Sequence, residues 1–424
     1  MLALAIALVP DLDLKLPPPS LVRAGAQGSV RDVALDLSTG TPLGPATARA
    51  GRLEVPAGRA GSWLSASMPL DGARMVALSW DAPAPAAAAA GAHDGAPAAT
   101  WVRTGGLIGW SDWEPVEVDD TGPDPGGGEG TVRGRGTSEG FWVGDDARAV
   151  QVRVDLDGRG RRAVLGLAAH LIDPGADPAA GVEGVDGMDG MQATDGLGEA
   201  GAGLGEEGLG AARPARGAVY ATTVAPPVVR RRRWGANERL RRDHPHYAHG
   251  VRVAFLHHTA NARHYSRRDS AAIVRATYLF HTRVRGYNDL GYNFMIDRFG
   301  RVFEGRAGGV SQPVVGAHTS GFNTGSFSVA LIGHYGRDRV PPAMQTALRR
   351  LLAWKLSIYR LDPKGSAWMR SGGGAGNRYP KGKRVRLRTI SMHRDVGHTS
   401  CPGVYVARLL PALRDAVART RGGR

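Results

Sequence analysis

The chain has very little cysteine and begins with only a short apolar run. Cys401 is the single cysteine among 424 residues, so an intramolecular disulfide framework is excluded. This composition fits either a reducing compartment or an exported bacterial protein built without disulfides. The apolar start, MLALAIALVP, has ten residues, which is too short to span a bilayer. The total length predicts two domains, each large enough for its own core.

The first residues resemble the apolar part of a signal peptide, but a basic segment before it and a clear cleavage site are missing. We interpret residues 1–27 as a truncated signal segment that results from a mis-assigned start codon. This interpretation predicts a secreted or cell-wall-associated protein. The alternative is an ordinary first strand or a disordered terminus.

Acidic residues are scarce in the second half of the chain. Residues 230–424 contain 37 Lys and Arg against 10 Asp and Glu, a net charge of 37 − 10 = +27. The remaining 54 − 37 = 17 basic and 39 − 10 = 29 acidic residues give residues 1–229 a net charge of −12. We expect the halves to attract each other or to bind different partners. A basic half suggests a polyanion, such as nucleic acid, anionic lipid or an anionic wall polymer, but no DNA-binding motif spacing is present.

The first half carries short runs in which apolar and polar residues alternate, separated by Gly, Pro and Asp. This pattern predicts an all-β, sandwich-like accessory domain over residues 28–172. Trp101, Trp110 and Trp113 form either a sugar-stacking platform or part of the core, and the core is favoured because Trp is highly buried on average. Residues 173–229 are rich in Gly and acidic residues, which predicts a flexible linker.

The second domain, residues 230–424, alternates apolar strand patterns with helical ones, which predicts an α/β domain. Pro411 should kink or end the last helix, and Asp269 is a candidate cap for the first long one. The predicted elements are strands at 251–257, on both sides of a turn at 298–300, at 326–335 and at 389–393; helices at 267–284, 342–361 and 404–417; and a loop at 365–383.

The cysteine lies eight residues after His393 in TISMHRDVGHTSCPG. Alone, this spacing leaves a catalytic thiol, half of a metal site or a buried small side chain all open. A second segment, VRVAFLHHTA, places His257 and His258 at the end of an apolar run. Two histidines and one cysteine make a three-ligand set with a fourth position open for water, the pattern of a catalytic zinc.

Five motifs of the second domain occur in one order: RRRRWGANE, FLHHTA, YLFHTRVRGYNDLGYNFMIDRFGRVFEGRAGG, GAHTSGFNTGSFSVALIG and HRDVGHTSCPG. With them, residues 230–424 resemble the peptidoglycan recognition protein family, which includes the zinc-dependent type 2 N-acetylmuramoyl-L-alanine amidases. The resemblance implies the zinc amidase fold, a mixed β-sheet flanked by helices with a Zn²⁺ cleft at one face.

Residue by residue, the resemblance implies that His257, His393 and Cys401 are the zinc ligands. Tyr292, in GYNF, matches the tyrosine that assists at the scissile carbonyl. Thr399 stands where phage members carry a lysine, so a contact there would come from a neutral hydroxyl. Cys401, which inactive members typically lose, is retained.

The remaining polar residues of the motifs have less specific expectations. His258 should point away from His257 in a strand and is interpreted as structural. His281 is interpreted as a packed or cleft-lining residue rather than a ligand. His318 and Asn323 match a segment that lines the family's substrate groove. Arg306 could pair with a stem-peptide carboxylate in bidentate fashion, or form a surface salt bridge.

Three functions compete at this stage. The first is zinc-dependent hydrolysis of the amide bond between N-acetylmuramoyl and L-alanine in peptidoglycan by a secreted monomer. The second is non-catalytic peptidoglycan binding, which would not need an open zinc site. The third, nucleic-acid binding, explains the charge but leaves the His/His/Cys set unused. No carboxylate can be assigned from the sequence as the group that takes a proton from the attacking water.

Overall fold

The structure is a computed structural model that describes residues 27–49, 51–81, 97–126, 129–130, 135–158, 163–177, 223–374 and 376–422. The predicted signal segment, apart from its last residue, and residues 178–222 of the predicted linker lie outside these ranges. None of the described helices combines the length and hydropathy needed to cross a bilayer.

Every regular element in the described part of residues 27–177 is a strand. The strands are β1 (Ser29–Ala34), β2 (Thr41–Leu43), β3 (Thr47–Arg49), β4 (Arg52–Glu54), β5 (Gly61–Leu64), β6 (Met68–Pro69), β7 (Met75–Asp81), β8 (Ala99–Gly106), β9 (Gly109–Trp110), β10 (Glu114–Val116), β11 (Arg135–Thr137), β12 (Phe141–Trp142), β13 (Ala149–Leu156), β14 (Ala163–Leu165) and β15 (Ala168–Asp173).

These strands form two larger antiparallel sheets and a small one. One sheet has the order β1-β15-β7-β11 with β12 also on β7, the second has the order β10-β8-β13-β5-β2, and β14-β4-β3 form the third. Trp80 of the first sheet and Trp63 and Val152 of the second belong to one buried cluster. The two larger sheets therefore share a core. The relation of this accessory domain to sandwich families stays a prediction.

The three clustered tryptophans do not fill that core. Trp101, Trp110 and Trp113 are all half-buried. The guanidinium of Arg103 lies 4.9 Å from the ring centroids of both Trp110 and Trp113. The core interpretation is therefore wrong for these residues, because arginines cover the rings at the sheet surface.

The second domain contains strands and helices. Its elements are β16 (Val228–Val229), α1 (Arg231–Trp234), β17 (Val253–His258), α2 (Asp269–Leu279), β18 (Phe294–Ile296), β19 (Val302–Glu304), β20 (Ser326–Leu331), α3 (Pro342–Ile358), β21 (Ser366–Arg370), β22 (Arg384–Arg388), β23 (Ile390–Met392) and α4 (Val404–Gly422). A π-helical turn, Phe280–Val284, continues α2, and short 3₁₀ turns occupy Glu238–Leu240 and His393–Asp395.

The central sheet has the order β16-β19-β18-β20-β17-β23. Strand β17 is parallel to both β20 and β23, whereas β18 and β19 are antiparallel. Helices α3 and α4 contribute Leu348, Leu352 and Leu410 to one buried cluster with the sheet, and α2 contributes Ile273 to a second cluster. The prediction of a mixed sheet flanked by helices is confirmed. All six residues of β17 are buried, because this strand lies inside the sheet and both of its faces pack against other parts of the domain.

Three local features of the second domain differ from the predictions or narrow them. The predicted loop at 365–383 contains β21, which forms an antiparallel hairpin with β22. Pro411 lies inside the last helix, which continues past it to Gly422, so of the two predicted effects the end of the helix does not occur. Asp269 is the first residue of α2 rather than its cap, and its carboxylate accepts hydrogen bonds from the backbone N–H and hydroxyl of Ser266.

Candidate metal centre

Parallel strand ends bring the two histidines of the cluster together. Leu256 of β17 is in register with Met392 of β23, so the next residues, His257 near the end of β17 and His393 just after β23, lie side by side. Their ring centroids are 4.7 Å apart. Cys401 lies just before α4, and its Sγ is 3.7 Å from Nδ1 of His257.

These three side chains form a group that could hold a metal ion. One ligand atom from each of His257, His393 and Cys401 lies within 4.8 Å of the others, and all three residues are buried. Nδ1 of His393 has no hydrogen-bond partner within the described residues, and the carboxylate of Asp120 is its nearest charged neighbour at 3.5 Å. This nitrogen is therefore available as a ligand atom. The structure thus brings together the three residues that the sequence motifs singled out, and their role as zinc ligands stays a prediction.

Burial sets the protonation of the cluster. Burial lowers the pKa of His257, with the neighbouring His393 adding to the effect, and lowers the pKa of His393 to about 4. Both imidazoles are therefore neutral at pH 7, the form that binds metal. Burial also raises the pKa of the Cys401 thiol, so a bound cation would be needed to hold it as a thiolate.

A hydroxyl that the sequence analysis missed supports the first histidine. Oγ1 of Thr319 lies 3.2 Å from Nε2 of His257 and 2.9 Å from Nδ1 of His318. The two histidine nitrogens beside this hydroxyl suit a row of two hydrogen bonds, in which Nε2 of His257 donates to Thr319 and the Thr319 hydroxyl donates to Nδ1 of His318. This arrangement leaves Nδ1 of His257 as the ligand atom. Thr319 thereby fixes the tautomer and orientation of His257, as hydrogen-bond partners of metal-binding histidines commonly do.

Tyr292 stands beside the cluster with an unused hydroxyl. Its ring centroid is 5.3 Å from that of His257, and its buried hydroxyl has no hydrogen-bond partner within the described residues. Burial raises its pKa well above the ordinary value, so the phenol is a proton donor at neutral pH. Thr399 differs, because its Oγ1 accepts the backbone N–H of Cys401 at 2.9 Å.

Two other histidines of the motifs, His258 and His281, accept hydrogen bonds from backbone N–H groups. Nδ1 of His258 accepts the backbone N–H of Tyr335 at 3.2 Å, and Nδ1 of His281 accepts the backbone N–H of Gly291 at 2.9 Å. These hydrogen bonds agree with the interpretation of both as structural.

The three predicted substrate contacts lie near the cluster but do not face open solvent. His318 and Asn323 are 0% exposed and Arg306 is 7% exposed. Asn323 Nδ2 donates to Gly122 and Asp124, and Arg306 donates to Glu129. Arg306 therefore forms a buried ion pair rather than the surface salt bridge of the alternative interpretation.

Acidic residues of the accessory domain thus reach the site, which the sequence analysis did not foresee. Oδ1 of Asp120 is 3.5 Å from Nδ1 of His393, and burial raises the pKa of Asp120 to about 7 although a hydrogen bond from Thr399 opposes the rise. Glu117 lies 3.2 Å from Nε2 of His334. Burial alone would raise the pKa of Glu117, but His258 and His334 lower it overall. The only sequence signal for these contacts was the opposite charge of the halves.

A mixed sheet with a buried His/His/Cys set at the ends of its parallel strands defines an α/β protein with a candidate metal centre. Residues 247–404 match the model of the N-acetylmuramoyl-L-alanine amidase family. Peptidoglycan-recognition protein SC2 of Drosophila melanogaster is 29% identical over 161 residues, which cover 38% of this chain and 72% of that protein. Peptidoglycan-recognition protein LB of Drosophila melanogaster is 32% identical over 131 residues, which cover 31% of this chain and 54% of that protein.

Among solved structures, wild-type Drosophila PGRP-LB has 26% identity and a TM-score of 0.34, and the match covers 43% of this chain and 92% of that one. Over its second domain, the chain is therefore similar to peptidoglycan recognition proteins and to the N-acetylmuramoyl-L-alanine amidase family.

Proposed function

We propose that the chain is a zinc-dependent N-acetylmuramoyl-L-alanine amidase that hydrolyses the amide bond between the muramoyl lactyl group and L-alanine in peptidoglycan. The His257, His393 and Cys401 cluster carries the proposal, because a buried set of two neutral imidazoles and one thiol suits zinc and leaves a position open. Peptidoglycan as the partner is supported by the names of the relatives. Export to the cell wall and a monomeric state belong to the same proposal, as does the division into an accessory domain, a linker and a catalytic domain.

The side chains around the cluster suit amide hydrolysis. Zinc held there would activate water and polarise the amide carbonyl. Tyr292 would donate its free hydroxyl to the oxygen that gains negative charge, since a preorganised donor stabilises such a transition state. Thr399 would act through the turn that presents Cys401. Arg306, His318 and Asn323 would contact the substrate, and the guanidinium of Arg306 would receive a carboxylate of the stem peptide.

The test compares the full chain with two histidine variants on purified sacculi. His393→Gln removes a ligand, and we expect its hydrolysis to fall by more than the roughly 10–100-fold that loss of a supporting residue costs. His246→Gln is the matched control, because His246 is exposed and, among the described residues, its side chain hydrogen-bonds to Asp243 at 3.0 Å. The readout is mass spectrometry of new L-alanine amino termini, with and without a chelator.

Chelator-sensitive release that survives His246→Gln and not His393→Gln would support the amidase. Binding to sacculi without release from any zinc-loaded protein would favour the non-catalytic peptidoglycan binder instead. Hydrolysis by His393→Gln equal to that of the unmodified chain would refute the ligand assignment.

A further inference from the structure

One segment of the accessory domain lies across the cluster face of the second domain. We call it the acidic strap and define it as residues 114–126 together with Glu129. It carries six acidic residues and no Lys or Arg. Strand β10 pairs its first residues with β8, and Val118 forms a β-bridge with Ser138. The strap is therefore fixed at one end to its own sheet.

The middle of the strap reaches the metal-binding end of the site. Glu117 accepts a hydrogen bond from the hydroxyl of Ser400 at 2.9 Å, one residue before Cys401. Asp119, whose side chain is 0% exposed, pairs with Arg285 at 3.2 Å. With Asp120 at 3.5 Å from His393, these contacts place carboxylates directly beside the candidate ligands.

The far end of the strap occupies the predicted groove. The carboxylate of Asp124 accepts the backbone N–H groups of Asn323 and Thr324, each at 3.0 Å. Nη2 of Arg306 donates to both oxygens of Glu129 at 2.7 and 2.6 Å, and the two side chains are only 6% and 9% exposed. Nη1 of Arg306 is buried without a partner in the described residues, so the guanidinium could hold a ligand carboxylate more fully.

The donors that a stem-peptide carboxylate would use are thus already bound to carboxylates of this chain. The cluster is also closed, since His257, His393 and Cys401 are 0%, 2% and 6% exposed. We propose that the acidic strap is an intramolecular occupant of the substrate groove, which an anionic muropeptide must displace. The identity of the competing ligand rests on the proposed function, whereas the occupancy rests on the contacts alone.

The strength of these contacts makes the closed state the dominant one. Breaking a buried ion pair leaves an uncompensated charge, so the strap should leave only when another anion takes Arg306. A competing closed state reduces apparent ligand affinity by the fraction of open molecules. If roughly 0.1–10% of the molecules are open, a variant with a loosened strap should have about ten to a thousand times more molecules with an accessible groove and metal cluster.

The experiment uses Cys401, the single thiol of the chain, as the probe. Asp124→Asn with Glu129→Gln loosens the far end of the strap without changing side-chain shape. Glu54→Gln with Asp146→Asn removes the same charge from positions outside the strap, of which Asp146 is exposed and Glu54 is half-buried. The rate at which a maleimide labels the metal-stripped full chain is measured for all three proteins.

We expect labelling of the strap variant to be at least about tenfold faster than that of the unmodified chain and the control, the lower bound of the range for a minor open state. Equal rates for all three proteins would overturn the proposal. Should the double variant fail to fold, Glu129→Gln alone answers the same question.

Turnover separates this inference from the amidase proposal. We expect the zinc-loaded strap variant to hydrolyse soluble muropeptides faster than the unmodified chain. Slower turnover would mean that the strap completes the site rather than covers it, and would overturn the inference. Faster labelling with no hydrolysis by any protein would leave the strap standing and count against the amidase.

Discussion

The support that Thr319 gives to His257 can be tested by one isosteric change. Thr319→Val keeps the volume of the side chain but removes the oxygen that lies 3.2 Å from Nε2 of His257 and 2.9 Å from Nδ1 of His318. All three residues are at most 1% exposed. Water therefore cannot replace the hydroxyl without a rearrangement.

The expected cost follows from the two nitrogens left unpaired. Each buried polar group without a partner costs roughly 1–3 kcal/mol, so Thr319→Val should lower the free energy of unfolding of the metal-free protein by about 2–6 kcal/mol. Loss of a group behind a metal-binding histidine also weakens metal affinity by roughly 10–100-fold. Zinc affinity should fall accordingly, because the orientation and tautomer of His257 are no longer fixed.

Urea unfolding of the metal-free protein and zinc competition with a chelator measure the two effects. Thr319→Ser is the matched control, since it retains the hydroxyl and should preserve most of both quantities. The reasoning would be refuted if Thr319→Val unfolded within about 0.5 kcal/mol of the unmodified chain, the range of an inconsequential surface change, and bound zinc equally well.

Two further predictions concern residues that hold the second domain together. Burial lowers the pKa of Lys355 from 10.5 to about 7, so the unfolded chain binds more protons above pH 7 and the free energy of unfolding should rise from about pH 7 to about pH 10. Urea unfolding at pH 7 and pH 9 should show this rise, and Lys355→Met should lack its share of it; an identical pH dependence would contradict the shift. Gly403 has φ +90°, and a Cβ added there would lie 2.2 Å from the backbone of Tyr335. Gly403→Ala should therefore lower the free energy of unfolding by more than the roughly 1–2 kcal/mol that left-handed strain alone costs. It should also weaken metal binding at Cys401. Gly51→Ala, at φ +73° in open space, isolates that strain, and equal losses of stability in the two variants would remove the argument.

Much of the second domain could be predicted because its signals are local. The apolar run that forms β17 and the periodicity of α3, with Pro342 at its first position, both appear where expected. The hairpin of β21 and β22 was missed because its buried residues, such as Met369 and Val385, occur in short alternations beside a glycine-rich stretch. Trp368 of this hairpin is exposed rather than buried, and the guanidinium of Arg384 lies against one face of its ring.

Some residues of the site could be predicted from local sequence motifs, and others depend on contacts between distant parts of the chain. The motif residues His257, His393 and Cys401 could be proposed from the sequence, and adjacent strand ends explain why they meet. The role of Thr319 could not, because it depends on where the loop after β19 returns to β17. The contact between Glu129 and Arg306 joins residues 177 positions apart, and no local pattern encodes it.

The central claim, a zinc ion held by this chain's two histidines and one cysteine, is tested most directly by anomalous diffraction from crystals of the full chain grown with zinc. The account predicts an anomalous peak at the zinc edge within coordination distance of Nδ1 of His257, Nδ1 of His393 and Sγ of Cys401, about 2.0–2.3 Å from each. A zinc-saturated crystal with no peak among these three atoms, or with its peak at other residues, would contradict it.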